Sequence, residues 1–271
     1  MGIVTGGPGS RSCREIPKTR PLAMKTFGSQ LFLLTATLLI GATGALADLT
    51  DDLKSAARKL ADAASYSWTA TTEIEGGQWT PAPVRGKALK GGTAVLTTER
   101  DGSTTTAVLQ GTNGVASTDD GWKTAEELRS AAGAGGGGGG NRGGMRAGAL
   151  LRNPLPAASL TRMADKARNL KAEDGGSMSG ELTEDAAKEF ALMGRGGRPG
   201  GQTPPEPRNA KASVRFWLKD GQVAKAQLKV SATMSFNGED RDMVRTTTWE
   251  FRDVGTTTVE VPAEAKKRLG T

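Results

Sequence analysis

From residue 213 to 236 the chain alternates. Val214, Phe216 and Leu218 are apolar, and Arg215, Trp217 and Lys219 fall between and beyond them. Asp220-Gly221 interrupts the run, after which Ala224, Ala226, Leu228, Val230, Ala232, Met234 and Phe236 alternate with Lys225, Gln227, Lys229, Ser231 and Thr233. A period of two is the period of a strand, and Asp-Gly suits a tight hairpin turn. The segment therefore predicts a long antiparallel hairpin with one wet face and one apolar face. A turn at Asn237-Gly238 leads to a third strand over residues 243–251. Residues 256–261 read as a fourth, before Pro262 opens a terminal helical turn.

An apolar face of that length needs a cover, and the chain offers helices for it. Leu155, Leu160, Met163, Ala164, Ala167 and Leu170 follow helical spacing, as do Ala186, Ala187 and Phe190 behind a Thr183 cap. Upstream, Leu53, Ala56, Ala57, Leu60 and Ala64 mark an amphipathic helix, with Thr50 placed as its N-cap. Short β-type runs follow at 66–74, 84–89, 93–99, 104–109 and 115–118. Gly76-Gly77, Gly91-Gly92, Asp101-Gly102 and Asn113-Gly114 separate them, so this stretch reads as a meander. Thr124-Ala125-Glu126-Glu127 has the form of a capping box at the start of a short helix. Two glycine-rich inserts, 133–148 and 194–209, have too few side chains to offset the cost of ordering and are expected to be disordered.

Residues 24–47 carry the three parts of an export signal: Lys25 at the start, an apolar block over 31–40, and Ala45-Leu46-Ala47 as a small-x-small peptidase site. Cleavage is expected after Ala47. The apolar block is short for a membrane span, and the competing reading is an uncleaved N-terminal anchor. Residues 1–23, with Pro8, Pro17 and Pro21, read as a mis-assigned upstream start or a long n-region. The expected location is periplasmic or secreted, with no stable membrane span after cleavage and a single domain over 48–271.

Composition narrows the chemistry. The formal charge of +7 falls to +3 for residues 48–271, because residues 1–47 hold five basic side chains and one acidic one. A nearly balanced chain gives no electrostatic case for nucleic acid. The single cysteine, Cys13, lies upstream of the signal, which removes disulfides, thiol catalysis and lipidation of a new N-terminus. Histidine is absent, so ordinary serine triads and zinc hydrolysis are excluded. No carboxylate pair stands out, and the expectation is a non-enzyme with no cofactor and no metal.

Several motifs carry less than their spacing suggests. Gly133-x-Gly135-x-x-Gly138 satisfies a dinucleotide fingerprint, but a polyglycine run satisfies any glycine spacing and this one follows a helix. Arg142-Gly143-Gly144 and Arg195-Gly196-Gly197-Arg198 have the form of RNA-binding segments, and in an exported chain they read as solvated loops. Asn237, Glu239, Asp240 and Asp242 crowd oxygens, yet the glycine and terminal glutamate of a calcium loop are misplaced, which favours a charged hairpin turn. Of the five tryptophans, Trp68, Trp79, Trp122, Trp217 and Trp249, two are placed by parity. Trp249 shares the side of Phe251, whereas Trp217 opposes Val214 and Phe216 and either covers a second surface or stands as a contact point.

The order of elements resembles the LolA/LolB-like superfamily of bacterial envelope proteins, which includes LppX-like lipid carriers and RseB-like stress sensors. The resemblance rests on an initial helix leading to Tyr66-Ser67-Trp68-Thr69, and on a central Ser179-Gly180-Glu181-Leu182-Thr183-Glu184-Asp185-Ala186-Ala187. It closes on Val259-Glu260-Val261-Pro262-Ala263-Glu264-Ala265 and spans 49–269 apart from the two inserts. It implies an α+β fold: a curved antiparallel half-barrel whose concave face is closed by helices over a cavity for acyl chains. Alternation then assigns Val214, Phe216, Leu218, Leu228, Val230, Met234, Trp249 and Phe251 to the cavity wall. The same eight residues would equally fill a solid core. Two functions follow: a carrier for a lipid or lipidated protein, or an envelope protein-interaction or sensor module without a ligand.

Overall fold

The structure, a computed structural model, describes Gly2 and residues 42–76, 80–133, 142–193, 206–236 and 239–270. From Ile40 onward the chain belongs to one compact unit. Helix α1 (Ala42–Asp62) buries Leu53, Ala56, Ala57 and Leu60, the positions its period demands. Thr50 is not its N-cap: the backbone is already helical from Ala42. Among the described residues, no helix is long and apolar enough to cross a membrane.

Six strands follow: β1 (Ser65–Glu75), β2 (Val84–Leu89), β3 (Thr93–Arg100), β4 (Ser103–Gln110), β5 (Asn113–Thr118) and β6 (Gly121–Thr124). The β3–β4 turn has Asp101 and Gly102 at φ 53° and 74°, the paired left-handed residues a tight hairpin requires. Between β4 and β5 the turn falls at Gly111-Thr112, two residues before the expected Asn113-Gly114. Gly114 lies in β5 opposite Leu109, where a Cβ would meet Leu151 at 2.9 Å and Leu109 at 3.0 Å.

Helices α2 (Ala125–Gly133), α3 (Arg142–Leu151) and α4 (Pro156–Lys166) come next. Residues 142–148, expected within a disordered insert, begin α3 instead. Ala147 and Leu150 are buried, and packing on β4 and β5 outweighs the roughly 1 kcal/mol that each helical glycine costs. Residues 134–141 and 194–205 of the two inserts lie outside the described residues, while Arg208 and Asn209 already belong to a strand.

Residues 167 and 170, expected to continue a helix, form β7 (Ala167–Glu173), which pairs with β8 (Ser177–Leu182). The ladder slips between Arg168 and Lys171, with Asn169 at φ 53°. A bulge inserts one residue, so positions three apart recover a common face, and that spacing imitates a helix. Helix α5 (Glu184–Leu192) starts where expected, with the Thr183 hydroxyl accepting the Ala186 N–H. Then come β9 (Arg208–Lys219), β10 (Gln222–Phe236), β11 (Glu239–Arg252) and α6 (Ala263–Leu269).

All eleven strands form one antiparallel sheet in the order β6-β5-β4-β3-β2-β1-β11-β10-β9-β8-β7. It does not close, leaving β6 and β7 as edges, and the architecture is an α+β half-barrel. Residues 256–261, expected as a fourth strand of that region, pair with no strand of the sheet. Instead Gly255 donates to Ser65 O at 2.7 Å and the chain crosses toward α6.

On the inner face, α1 packs on β7 and β10, α4 on α1, α5 on β9 and β10, and α3 on β4 and β5. On the opposite face α6 packs against β5 and β6, where Ala265 joins Val108 and Val115 in a second small core.

Candidate apolar binding face

Cross-strand register assembles the inner face row by row. Met178, Phe216, Ala226, Trp249, Ala70 and Val84 stand opposite one another from β8 to β2. Gly180, Val214, Leu228, Thr247 and Thr72 form the neighbouring row. All eight residues assigned to the wall lie on this face and share one apolar cluster. Phe216, Val230 and Met234 expose nothing, Val214 and Leu228 2%, Phe251 7% and Trp249 8%, while Leu218 is partly buried. A bulge between Val223 and Lys225 shifts the pattern by one, so Val223 rather than Ala224 is the residue driven fully inside.

Over these strands lies α5, presenting Ala186, Ala187, Phe190 and Ala191. Its C-terminal end meets Arg245, which periodicity alone should have flagged: it shares parity with Trp249 and Phe251, yet it is a cation on the apolar side. Arg245 stands between Val230 on β10 and Ile74 on β1. Its Nη1 donates to Met193 O at 2.9 Å and its Nη2 to Phe190 O at 2.6 Å. Both carbonyls lie at the negative end of the helix, where Phe190 O also accepts the Met193 N–H at 3.2 Å, so a permanently charged guanidinium suits them. Beside Arg245 the cover thins. Thr72, Ile74, Met243 and Thr247 are half-buried, and the Thr72 and Thr247 hydroxyls lie 3.3 Å apart.

An aromatic group adjoins the wall. Tyr66 packs at 5.4 Å from Trp68 and edge-on at 6.2 Å from Phe251. Gly86 makes room for it: a Cβ there would stand 2.1 Å from the Trp68 ring. Burial pushes the Tyr66 phenol up to about 12, against a smaller opposing effect of its hydrogen bond with the Ala157 backbone.

The remaining tryptophans divide by face. Trp217 is on the wet side, with Arg215 5.1 Å and Lys225 5.0 Å from its ring. Trp122 borders the second core, and Trp79 lies outside the described residues. The acidic turn is held internally. Asp240 takes hydrogen bonds from Ser235 and Arg208, which keep its carboxyl below the usual range, and Asp242 accepts from Thr233 at 2.7 Å. Asn237 is outside the described residues. Among those residues no group of three His, Cys, Asp or Glu side chains is placed to hold a metal.

No protein-family model and no curated protein sequence matches the chain. Among solved structures it is similar to lipoprotein LppX of Mycobacterium tuberculosis, at 14% identity and TM-score 0.39, over 80% of this chain and 99% of that one. It is similar to LprF of Mycobacterium bovis at 11% identity and TM-score 0.42, over 81% and 98%. A LolA superfamily protein of Nitrosomonas europaea aligns at 10% identity and TM-score 0.30, over 78% and 94%.

Proposed function

We propose that this chain is an exported, non-enzymatic binding protein of the bacterial envelope that takes an acyl chain against the inner face of its open sheet. The observation that carries the reading is the kind of cover this face has. An apolar surface running across six strands is closed by separate helices rather than by a second sheet, and the side chains that α5 buries against it are small but for one. Three alanines and one phenylalanine amount to roughly 4–5 kcal/mol of apolar transfer. The two bonds from Arg245 add roughly 3–6 kcal/mol. An acyl chain of about a dozen methylenes offers roughly 10 kcal/mol on the same scale, before the entropy of binding. The two sides match within a few kcal/mol, which is the condition for a ligand that is both taken up and given up. Phe216, Leu228 and Val230 then change partner from helix to ligand without leaving an apolar environment. The export signal read at residues 24–47 supplies the compartment.

One observation favours a second reading. Phe216, Val230 and Met234 are fully covered, so the closed form has no gap against them. A protein that never opens would be an interaction or sensor module with a solid core. Native and denatured masses of a detergent-free preparation separate the two. A stoichiometric apolar adduct, lost in a folded Leu228→Arg variant, is the expected result. A bare protein that also refuses added fatty acid and phospholipid overturns the carrier reading.

A further inference from the structure

The long hairpin of β9 and β10 is chemically one-sided in a second way. Its strands, of 12 and 15 residues, contain Arg208, Lys211, Arg215, Lys219, Lys225 and Lys229 and not one aspartate or glutamate. The acids are set on the next strand, β11, which carries Glu239, Asp240, Asp242 and Glu250. Five of the six cations share the wet-face parity of Trp217. Register brings them close: Ser231 faces Lys211 and Gln227 faces Arg215, so Lys229 stands diagonal to both. Like charges on neighbouring strands add nothing to the sheet unless acids answer them.

Neighbouring acids answer part of the charge. Arg215 pairs with Glu173 at 2.6 Å, Lys229 with Glu75 at 2.7 Å and Lys225 with Glu250 at 3.9 Å. Lys211 and Lys219 are exposed and pair with no carboxylate among the described residues. Between the cations lies Trp217, half-buried, its ring flanked by Arg215 and Lys225. The arrangement is an amphipathic ring set among long aliphatic stems with charged ends.

We propose that this outer face of β9 and β10 is a docking surface for an anionic lipid bilayer. Successive cations on one strand are four residues apart, roughly 13 Å, so they form a spread array rather than a pocket converging on one phosphate. An extended sheet of negative headgroups complements such an array. Lysines and arginines gain from the surface potential, while a tryptophan favours the headgroup level. The surface goes beyond the acyl-chain reading, to which it would add a place for loading, and it is measured without any ligand on the inner face.

The test is co-sedimentation of the purified full chain with vesicles of phosphatidylcholine alone or mixed with phosphatidylglycerol, at low and physiological salt, with a soluble anionic polysaccharide as competitor. Binding is expected on the mixed vesicles only, weakening with salt. Each exposed lysine near the surface is worth about a fivefold change in partition, so the Lys211→Ala, Lys219→Ala, Lys229→Ala triple variant should bind about a hundredfold less. Trp217→Phe should remove the shift in tryptophan emission that accompanies binding. Lys266→Ala with Lys267→Ala, on α6, should change nothing. No binding to the mixed vesicles at low salt, a folded triple variant that binds like the parent, or stronger binding to the polysaccharide than to vesicles would each overturn the proposal. Because native mass reports the inner face and sedimentation the outer one, either reading can fail without the other.

Discussion

The two flanks of this sheet solve the same burial problem differently. In β9 and β10 the inner side is packed under helices and the outer side stays wet, so alternation runs almost unbroken for 12 and 15 residues. In β4 and β5, of 8 and 6 residues, α3 covers one side while α6 and Val261 cover part of the other. Consecutive residues are then buried, Ala107 with Val108 and Val115 with Ala116. A strand covered on both faces has no reason to alternate. The same geometric side of one sheet is therefore core at one end and surface at the other.

The largest expected effect tests that contrast directly. Val108→Asp places an unpaired charge between β4 and α6 and should cost more than about 4 kcal/mol of unfolding free energy. Ser231→Asp, on the corresponding side of β10, should stay within about 0.5 kcal/mol. Urea midpoints of the two variants compare them, and equal losses would dissolve the distinction between the flanks. Next comes the joint where the flanks meet. Gly86→Val puts a Cβ where the Trp68 ring lies, and displacing that ring should cost about 3–5 kcal/mol, the range of losing a buried tryptophan. Combining it with Trp68→Leu should recover part of the loss, because the two sites share one volume.

A smaller effect is expected from Tyr66, the only tyrosine in the chain, whose ring lies in the aromatic group beside the wall. Its folded value of about 12 exceeds the usual 10, so the native state holds the phenolic proton more tightly. Stability is whole below pH 10 and falls as pH rises toward 12, by about 1.4 kcal/mol per unit. Tyrosinate absorbance should show a midpoint near 12 in the folded protein, and Tyr66→Phe should remove this part of the alkaline loss. A midpoint at 10 with the fold intact would mean that the inner cover admits water.

What the sequence made legible follows the same division. The hairpin turns at Asp101-Gly102 and Asp220-Gly221, the boundaries of β2 and the inward set around Phe216 were all readable, because one wet face preserves the period. The misreadings fall where another geometry imitates or erases that period. The β7 bulge gave strand residues 167 and 170 a helical spacing, and β6 is only four residues long. The turn expected at Asn113-Gly114 falls two residues earlier, and Gly114 stands in β5 where a side chain would meet Leu151. For the candidate site, parity found the wall and marks Arg245 as a cation on it, but gave neither the helix end that Arg245 meets nor the Gly86–Trp68 fit, since both depend on neighbours far apart in sequence. No periodicity announces which helix end will need a cation.

The smallest expected effect concerns how the second cover is fastened. Thr124 and Glu127 form the capping box of α2: the Glu127 N–H donates to the Thr124 hydroxyl at 3.2 Å, and the Thr124 N–H donates to the Glu127 carboxylate at 2.7 Å. The same carboxylate receives Arg268 of α6 at 2.8 Å, while Arg268 Nε donates to Trp122 O at 3.0 Å. The Thr124 backbone, ahead of the Arg268 pairing, holds the Glu127 carboxyl below its usual range. Its contribution is therefore present above the unfolded value and is lost as pH falls through the folded one. Thr124→Ala should cost about 1 kcal/mol. Glu127→Gln should flatten the acid limb of the stability profile and speed amide exchange in α6 while leaving α5 unchanged. Equal changes in both helices would mean that the two covers open together, and the flanks would then be one cooperative unit rather than two.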